Sequence, residues 1–585
     1  MATEVSAPSV APAQVRFVPC EEGAEAFVEI VNANGVDCLF LMPGTDTFPI
    51  QEALAKFKAQ GRRIPRVVSC PHETTVMSAA HGYFNMTRRA QVGLVHVDVG
   101  TQMVGGMLHN AQRGQAGVVL CAGRTPLTMD GELRGGRDIA VHWIQDRRDQ
   151  PGIVRDYTKW NYDVVRIEGM NHIVQRAFQV ANSEPCAPVY LTLGREALME
   201  RIDGIRLLPP SRYAPPVPSA ADPRAVEEIA RVLIAAERPL ILASHSGRTR
   251  AGFEALARAA HVVAVPVIER REHLNLPMNH PMHLGVDNSE AFTSADVILV
   301  VDSDVPYIPA QARPREDARL IQIDVDPVKA SFPIWGYPID LAVQADSAKA
   351  LEQLADAAES LLTASDRDRL AERRERITAA HHEQRASFRR LAEEAAARRP
   401  ISRDYLSYCL NQIVDDDTVV VDDSVTSSYI ASRHIEVNAF AGYFKSGGSS
   451  MGWGLGASLG TKLAAPDRTV ISIDADGNFM DSSPESPLWA SAAYGAPFLS
   501  VIFNNSRYNA VKAGLLRGYS DSYSARTDTW LGIDLPRLPA FEQIAQACGA
   551  YGERVEDPAD VQPALERGLA RVRDGQTAVL NVIVE

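Results

Sequence analysis

The stretch that most constrains the fold runs from Arg468 to Asn505. Thr469 to Ile473 is a short β-branched run, the pattern of a strand buried in a parallel sheet. It stops in Asp474-Ala475-Asp476-Gly477-Asn478, a tight polar turn, and Pro484 to Tyr494 then has helical spacing. Phe498 to Phe503 is a second apolar run and ends in Asn504-Asn505. Strand, helix and strand in this order predict a parallel α/β sheet, with both polar clusters at the carboxyl ends of strands, where such sheets bind ligands. A small turn with free backbone N–H groups suits a diphosphate. Asp476 and an asparagine amide oxygen are hard donors of the kind that hold magnesium together with phosphate oxygens and water. The plain alternative is a strand, turn and helix with an N-capping Asp and a surface Asn pair.

A chain of 585 residues is too long for one core, and three domains are expected. The formal net charge of −14 argues against nucleic acid or an anionic membrane as partner. Seven dispersed cysteines without a CxxC pair point to reduced thiols and a cytoplasmic protein, not to a disulfide framework or a zinc site. No apolar run reaches the length of a membrane span. The opening residues are rich in Ala, Pro, Ser and Val and lack the basic start of a signal peptide, so a disordered tail is expected over 1–15.

Residues 16–195 alternate strand and helix. Strands are expected at Cys38–Leu41, Val67–Cys70, Val92–Val97, Val118–Ala122 and Val189–Leu193, with helices over 20–33, 50–60, 73–84 and 103–112. A proline-rich linker is expected over 196–222, a central domain over 223–360, a charged helical linker over 361–400 and a last domain over 401–585. Central strands are expected at 240–243, 262–267, 297–301 and 320–323. The fold class is α/β, three doubly wound parallel-sheet domains, the first and third being two copies of one architecture.

Two further segments join the opening turn. Pro71-His72-Glu73 is followed by Ala79-Ala80-His81-Gly82-Tyr83, and Ser446-Gly447-Gly448-Ser449-Ser450-Met451-Gly452 is rich in small residues that let a backbone approach a ring. Asp476-Gly477-Asn478 followed about two dozen residues later by Asn504-Asn505 resembles the thiamine-diphosphate motif, with Ala475 where a first glycine is common. His72-Glu73 and its helix resemble the second signature of the same enzymes. The resemblance covers 16–585 and points to the acetolactate synthase and benzoylformate decarboxylase branch.

That resemblance implies the thiamine-diphosphate-binding fold, with pyrimidine-binding, central and diphosphate-binding domains in that order. It implies thiamine diphosphate and Mg as cofactors. Glu73 would hold the far nitrogen of the aminopyrimidine, an acid–base residue tuned by burial. Asp476, Asn505 and the carbonyl of Arg507 would hold the metal, with Ala475, Gly477 and Asn478 completing the turn. The carbonyl of Ser449 would receive the ring amine, Met451 would wedge under the cofactor, and Ser424 would lie near the diphosphate. On the substrate side, Leu94-Val95-His96-Val97-Asp98 resembles a benzoylformate decarboxylase segment, making His96 a proton-transfer residue with Thr45 and Asp46 beside it. Tyr508 and Asn509 would face the substrate under a lid over 514–528. The segment His142-Trp143-Ile144-Gln145 receives no chemistry. The expected activity is cleavage or formation of C–C bonds next to the carbonyl of a small-molecule 2-oxo acid. A 2-hydroxyacyl-CoA lyase and a non-catalytic cofactor-binding or regulatory subunit are the alternatives. A homodimer or homotetramer is expected; the central domain shows no decisive nucleotide signature, and the sequence leaves open whether FAD or ADP occupies it.

Overall fold

The computed structural model describes residues 14–270 and 272–585; all but the last two residues of the tail expected over 1–15 lie outside the described residues. The chain divides into two compact units. One holds the residues through Ser69 together with Arg89–Leu108 and Gly117–Pro216; the other holds Cys70–Arg88, His109–Ala116 and Val217–Glu585.

The first unit contains a six-stranded sheet, parallel throughout. Its order is Arg66–Ser69, Cys38–Leu41, Gln91–Val95, Val118–Arg124, Val189–Gly194, Trp160–Val164. The inner strands are buried on both faces, which is why they read as unbroken Val/Leu/Ile runs. The Gln91–Val95 strand is shorter than expected. It ends before His96, which is the N-cap of a helix over Val97–Met103, so helix begins where strand was expected and well ahead of residue 103. Val97 and Val99 carry strand propensity, and the tertiary context overrides it. Arg16–Val18 pairs antiparallel with Ile205–Leu207, a strand within 196–222.

The second unit contains two sheets. The central one has the order Val267–Glu269, Pro239–Ala243, Val297–Val301, Arg319–Asp324, Leu341–Gln344, all parallel. The strand expected over 262–267 begins only at Val267, because Val262 closes the helix Arg250–Val262; a short valine run has no period that separates strand from buried helix. The last sheet runs Tyr443–Lys445, Thr418–Asp423, Thr469–Ala475, Leu499–Asn504, Ala578–Ile583, Tyr551–Val555, also parallel. Numbered by chain position within each, this sheet and that of the first unit share one order, 2-1-3-4-6-5.

The charged stretch expected as a surface linker is one helix, Ala364–Glu394, opened by a capping box between Thr363 and Asp366. It is not only surface. Arg373 is 5 % exposed and donates to the carbonyls of Ala236, Leu233 and Val263 at 2.6, 3.1 and 2.8 Å. A guanidinium there satisfies the orphan carbonyls at the ends of two helices, Pro223–Ala235 and Arg250–Val262.

Helix Glu73–Thr87 packs on helix Gly454–Ala464 backbone to backbone. A Cβ on Gly82 would run into the carbonyl of Ala457, one on Gly460 into that of Ala79, and one on Gly456 into the Ser78 hydroxyl. Gly82→Ala therefore has no flexible neighbour to displace. It is expected to destabilise the chain by about 1–3 kcal/mol, read as a lower denaturant midpoint at constant slope.

Candidate active site

The turn after Thr469–Ala475 places Asp476 at the first position of the short helix Asp476–Asp481, 2 % exposed. One carboxylate oxygen accepts from the Gly477 N–H at 2.7 Å. The other, Oδ2, is buried and has no hydrogen-bond partner. Burial raises the pKa of Asp476, and the backbone N–H groups of Gly477, Ser506, Arg507 and Asn505 act against it. The chain turns toward this carboxylate at Ser506, which sits in the left-handed region at φ +54°, a strained geometry of the kind that clusters at functional turns. Asn504 is buried and committed to the sheet: its Nδ2 donates to Asn581 at 2.9 Å and its Oδ1 accepts from Ser506 N–H at 3.1 Å. Asn505 is only partly buried. The Asn505 amide oxygen accepts one N–H, from Arg507 at 3.1 Å, and the Arg507 carbonyl accepts one, from Asn509 at 3.0 Å. Each keeps a lone pair. Among the described residues no cluster of three His, Cys, Asp or Glu side chains could hold a metal; one carboxylate with an amide and a peptide oxygen is a different donor set, the kind magnesium takes beside phosphate.

Behind this turn lie three more acids. Asp423 Oδ2 accepts the N–H groups of Trp453 and Gly454 at 2.9 and 3.0 Å, capping the Gly454–Ala464 helix. Burial, then the neighbouring Asp474, pushes Asp423 up to about 8; burial pushes Asp474 up to about 7. Asp422 accepts from the Ser424 N–H at 3.0 Å and from the hydroxyls of Ser424 and Ser428 at 2.6 and 2.5 Å, and from Tyr443. The Ser424 proton thus points to Asp422. Gly477 is needed because a Cβ would meet the Tyr508 ring, and Asn478 hydrogen-bonds Asp423.

Glu73 is the first residue of its helix, 8 % exposed; His72 caps that helix, its Nδ1 accepting from Thr74 N–H at 3.1 Å. Thr75 Oγ1 bonds Ser486 Oγ at 2.8 Å, tying the helix start to the segment after the Asp476 turn. The small-residue loop is clamped by residues that sequence reasoning missed. Asn110, fully buried, accepts from Ser450 N–H at 3.0 Å and donates to the Ser450 carbonyl at 2.8 Å. His109 Nε2 lies 3.1 Å from both the N–H and the hydroxyl of Ser449. Ser449 is exposed and Met451 half-buried. Trp453 Nε1–H donates to His81 Nδ1 at 3.1 Å, and burial holds that imidazole down to about 3. An adjacent His–Asn pair within a helix gives no signal of such a clamp.

In the first unit, Asp46 is fully buried and bonds the Nδ1 of His96; its other oxygen accepts the Val97 N–H at 3.3 Å. Cβ atoms on Gly44 and Gly123 would collide with this pair. Thr45 is exposed beside it. Asp98, fully buried, takes Arg147 Nε at 2.7 Å. The hydrogen bond to Asp46 raises the His96 pKa against desolvation, with the Asp46 and Asp98 charges and a side-chain bond to Gln145 adding to it. His96 therefore stays protonated as pH rises past 6.5 and loses its charge only at higher pH. A step that uses His96 as an acid is expected to run flat through that value and fall on the alkaline side. Asp46→Asn, which weakens the hydrogen bond and removes the charge that hold His96 up, is expected to move the fall toward acid in a pH–rate profile.

Three models of thiamine pyrophosphate enzymes match the chain in order: the N-terminal TPP binding domain over 21–153, the central domain over 226–354 and the C-terminal TPP binding domain over 423–582. A probable acetolactate synthase large subunit of Methanocaldococcus jannaschii is 23% identical over 96% of this chain and 92% of its own. Benzoylformate decarboxylase of Pseudomonas aeruginosa is 24% identical over 94% of this chain and 96% of its own. The solved thiamine diphosphate-dependent 4-hydroxybenzoylformate decarboxylase of Rhodococcus jostii has the same fold, with a TM-score of 0.76 at 20% identity over 96% of this chain and 99% of that one. The chain is a thiamine pyrophosphate-dependent enzyme. Within that family it belongs to the group that holds the acetolactate synthases and benzoylformate decarboxylases.

Proposed function

We propose that this enzyme uses thiamine diphosphate and magnesium to cleave, or join, the C–C bond beside the carbonyl of a 2-oxo acid. The observation that carries the reading is the buried Asp476 Oδ2 without a partner, beside amide and peptide oxygens that each keep a lone pair. A buried carboxylate oxygen without a partner is costly, and a cation held there would remove the cost. Asp476, Asn505 and the Arg507 carbonyl hold the metal. The Ala475–Asn478 turn would carry the diphosphate, with the Gly477 N–H kept for Asp476. Ser424 gives its proton to Asp422 and so would not donate to the phosphate. Thiamine diphosphate, when bound, supplies a carbon that attacks the substrate carbonyl and accepts the electrons released as the C–C bond breaks.

Glu73 holds a proton at the ring nitrogen of the cofactor, and its burial excludes the water that would compete for it. The Ser449 carbonyl and Met451 orient the ring, their loop fixed by Asn110 and His109. His96, kept charged by Asp46, is the proton donor to the product carbon, which favours decarboxylation over ligation. A homodimer or homotetramer follows from the family reading, and its mass in solution checks it.

The deciding experiment supplies thiamine diphosphate, magnesium and a panel of 2-oxo acids, and measures CO2, aldehyde and acyloin. CO2 with aldehyde identifies a decarboxylase and CO2 with acyloin a carboligase. No CO2 from any acid ends the 2-oxo acid reading.

A further inference from the structure

The loop from Ser446 to Met451 lies main chain first against the helix Gly105–Arg113. A Cβ on Gly448 would meet the Asn110 side chain and the His109 ring, and one on Gly447, whose φ is +73°, would meet the backbone of Gly114. At this range the loop offers its peptide groups to two adjacent side chains of the helix. His109 Nε2 accepts the Ser449 N–H at 3.1 Å. Asn110 accepts the Ser450 N–H at 3.0 Å and donates to the Ser450 carbonyl at 2.8 Å.

These bonds fix three consecutive peptide planes. A peptide unit is planar and trans, so its N–H and its C=O point in opposite directions. The Ser450 N–H held on Asn110 therefore turns the Ser449 carbonyl away from the helix. The Ser449 N–H held on His109 fixes the plane on the other side of the Ser449 α-carbon. With both planes set, φ and ψ of Ser449 are set. Ser449 is itself exposed, so packing of its own side chain does not supply this restraint.

The two clamps differ in one property: the Asn110 amide does not titrate and the His109 ring does. A backbone N–H can only donate, so His109 Nε2 carries a lone pair and the imidazole is neutral, its proton on Nδ1. The Ser449 hydroxyl lies 3.1 Å from the same nitrogen. A proton on Nε2 would set donor against donor. The surroundings favour the neutral ring: burial, then the Arg113 charge one turn further along the helix, lower the His109 pKa from 6.5. The facing loop, Ser446 to Gly452, brings no titratable side chain. His81, whose ring lies against Gly114, is held down to about 3 and stays neutral. Arg113 lies over the Phe332 ring and acts also on Asp304 of the central domain.

We propose that His109 is a positioning residue for the cofactor: as a neutral imidazole it sets the Ser449 carbonyl for the ring amine, and protonation at Nε2 releases the loop. The proposal rests on the reading that this carbonyl receives the amine of thiamine diphosphate. Its pH limit is opposite in sign to that of His96. His96 acts while protonated and fails on the alkaline side; His109 acts while neutral and fails once the pH has fallen below 6.5.

The test is calorimetry of thiamine diphosphate binding, with magnesium, to three full-length proteins at a series of pH values on both sides of 6.5. The parent is compared with His109→Gln, which brings an acceptor oxygen to the reach of Nε2 but does not titrate, and with His109→Phe, which keeps a ring and loses the acceptor. His109→Phe is expected to bind about 3- to 10-fold more weakly than the parent on the alkaline side. The parent should lose a similar factor as the pH falls below 6.5. His109→Gln should restore most of what His109→Phe loses and show no such acid fall. Ionisation of the cofactor is common to the three proteins and cancels in the comparison. A deaminated thiamine diphosphate, lacking the ring amine, should bind all three alike. Parent and His109→Gln following one pH curve would overturn the proposal, and that comparison decides alone should His109→Phe fail to fold. Equal affinity of the parent for the two cofactors would end the reading of Ser449 and the amine, and the proposal with it. Unequal affinity, with no difference among the three proteins, would leave that contact standing and overturn only the part given to His109.

Discussion

Glu73→Gln is expected to bind thiamine diphosphate and lose about 10²- to 10⁴-fold in kcat. The substitution keeps the size of the side chain and one carbonyl oxygen at the first position of a helix that is held elsewhere: by the His72 cap, by Thr75 on Ser486 and by the glycine-faced contact with the Gly454–Ala464 helix. Folding and cofactor affinity therefore have little reason to change. What the amide lacks is the ability to exchange a proton with the ring nitrogen. Calorimetry of cofactor binding and exchange of the cofactor's C2 hydrogen read by NMR separate the two properties. Normal turnover with cofactor bound would remove Glu73 from the chemistry and bring back the reading of a plain N-terminal glutamate favoured by its helix dipole.

The second large effect is expected at the metal turn. Asp476→Ala removes the only carboxylate among the three proposed ligands. Losing a residue that merely orients a metal ligand costs about 10- to 100-fold in affinity, so losing the ligand should cost at least that, and magnesium-dependent binding of thiamine diphosphate should collapse. A ligand at about 100 times its Kd stabilises a fold by about 2.7 kcal/mol. The parent should accordingly melt higher with cofactor and magnesium together than with either alone, and Asp476→Ala should not. The apo variant should be no less stable than the apo parent, because a buried carboxylate oxygen without a partner has gone. An unchanged thermal shift in the variant would place the metal elsewhere.

The sheets were legible because their inner strands are buried on both faces and so are written as continuous β-branched runs. The polar turn at Asp476 was legible because its neighbours in space are its neighbours in sequence. The clamp on the small-residue loop was not: Asn110 meets Ser450 across 340 positions of chain, and nothing about an asparagine in a helix says which backbone it will hold. Helix start at Val97 was missed because valines there favour a strand until Asp46 takes the first N–H of the helix. In the sequence Arg373 is one charge among many in a charged helical linker; only the fold shows that it closes the ends of two helices.

The contact between the Glu73–Thr87 and Gly454–Ala464 helices has a further meaning. One helix starts at the acid proposed to work on the cofactor; the other starts where the loop carrying Ser449 and Met451 ends. With main chain resting on main chain there is no side chain left to compress, so neither start can drift without the other. Variants selected for new substrates should accordingly leave the glycines of the helix pair untouched whatever acid the enzyme is taught to accept.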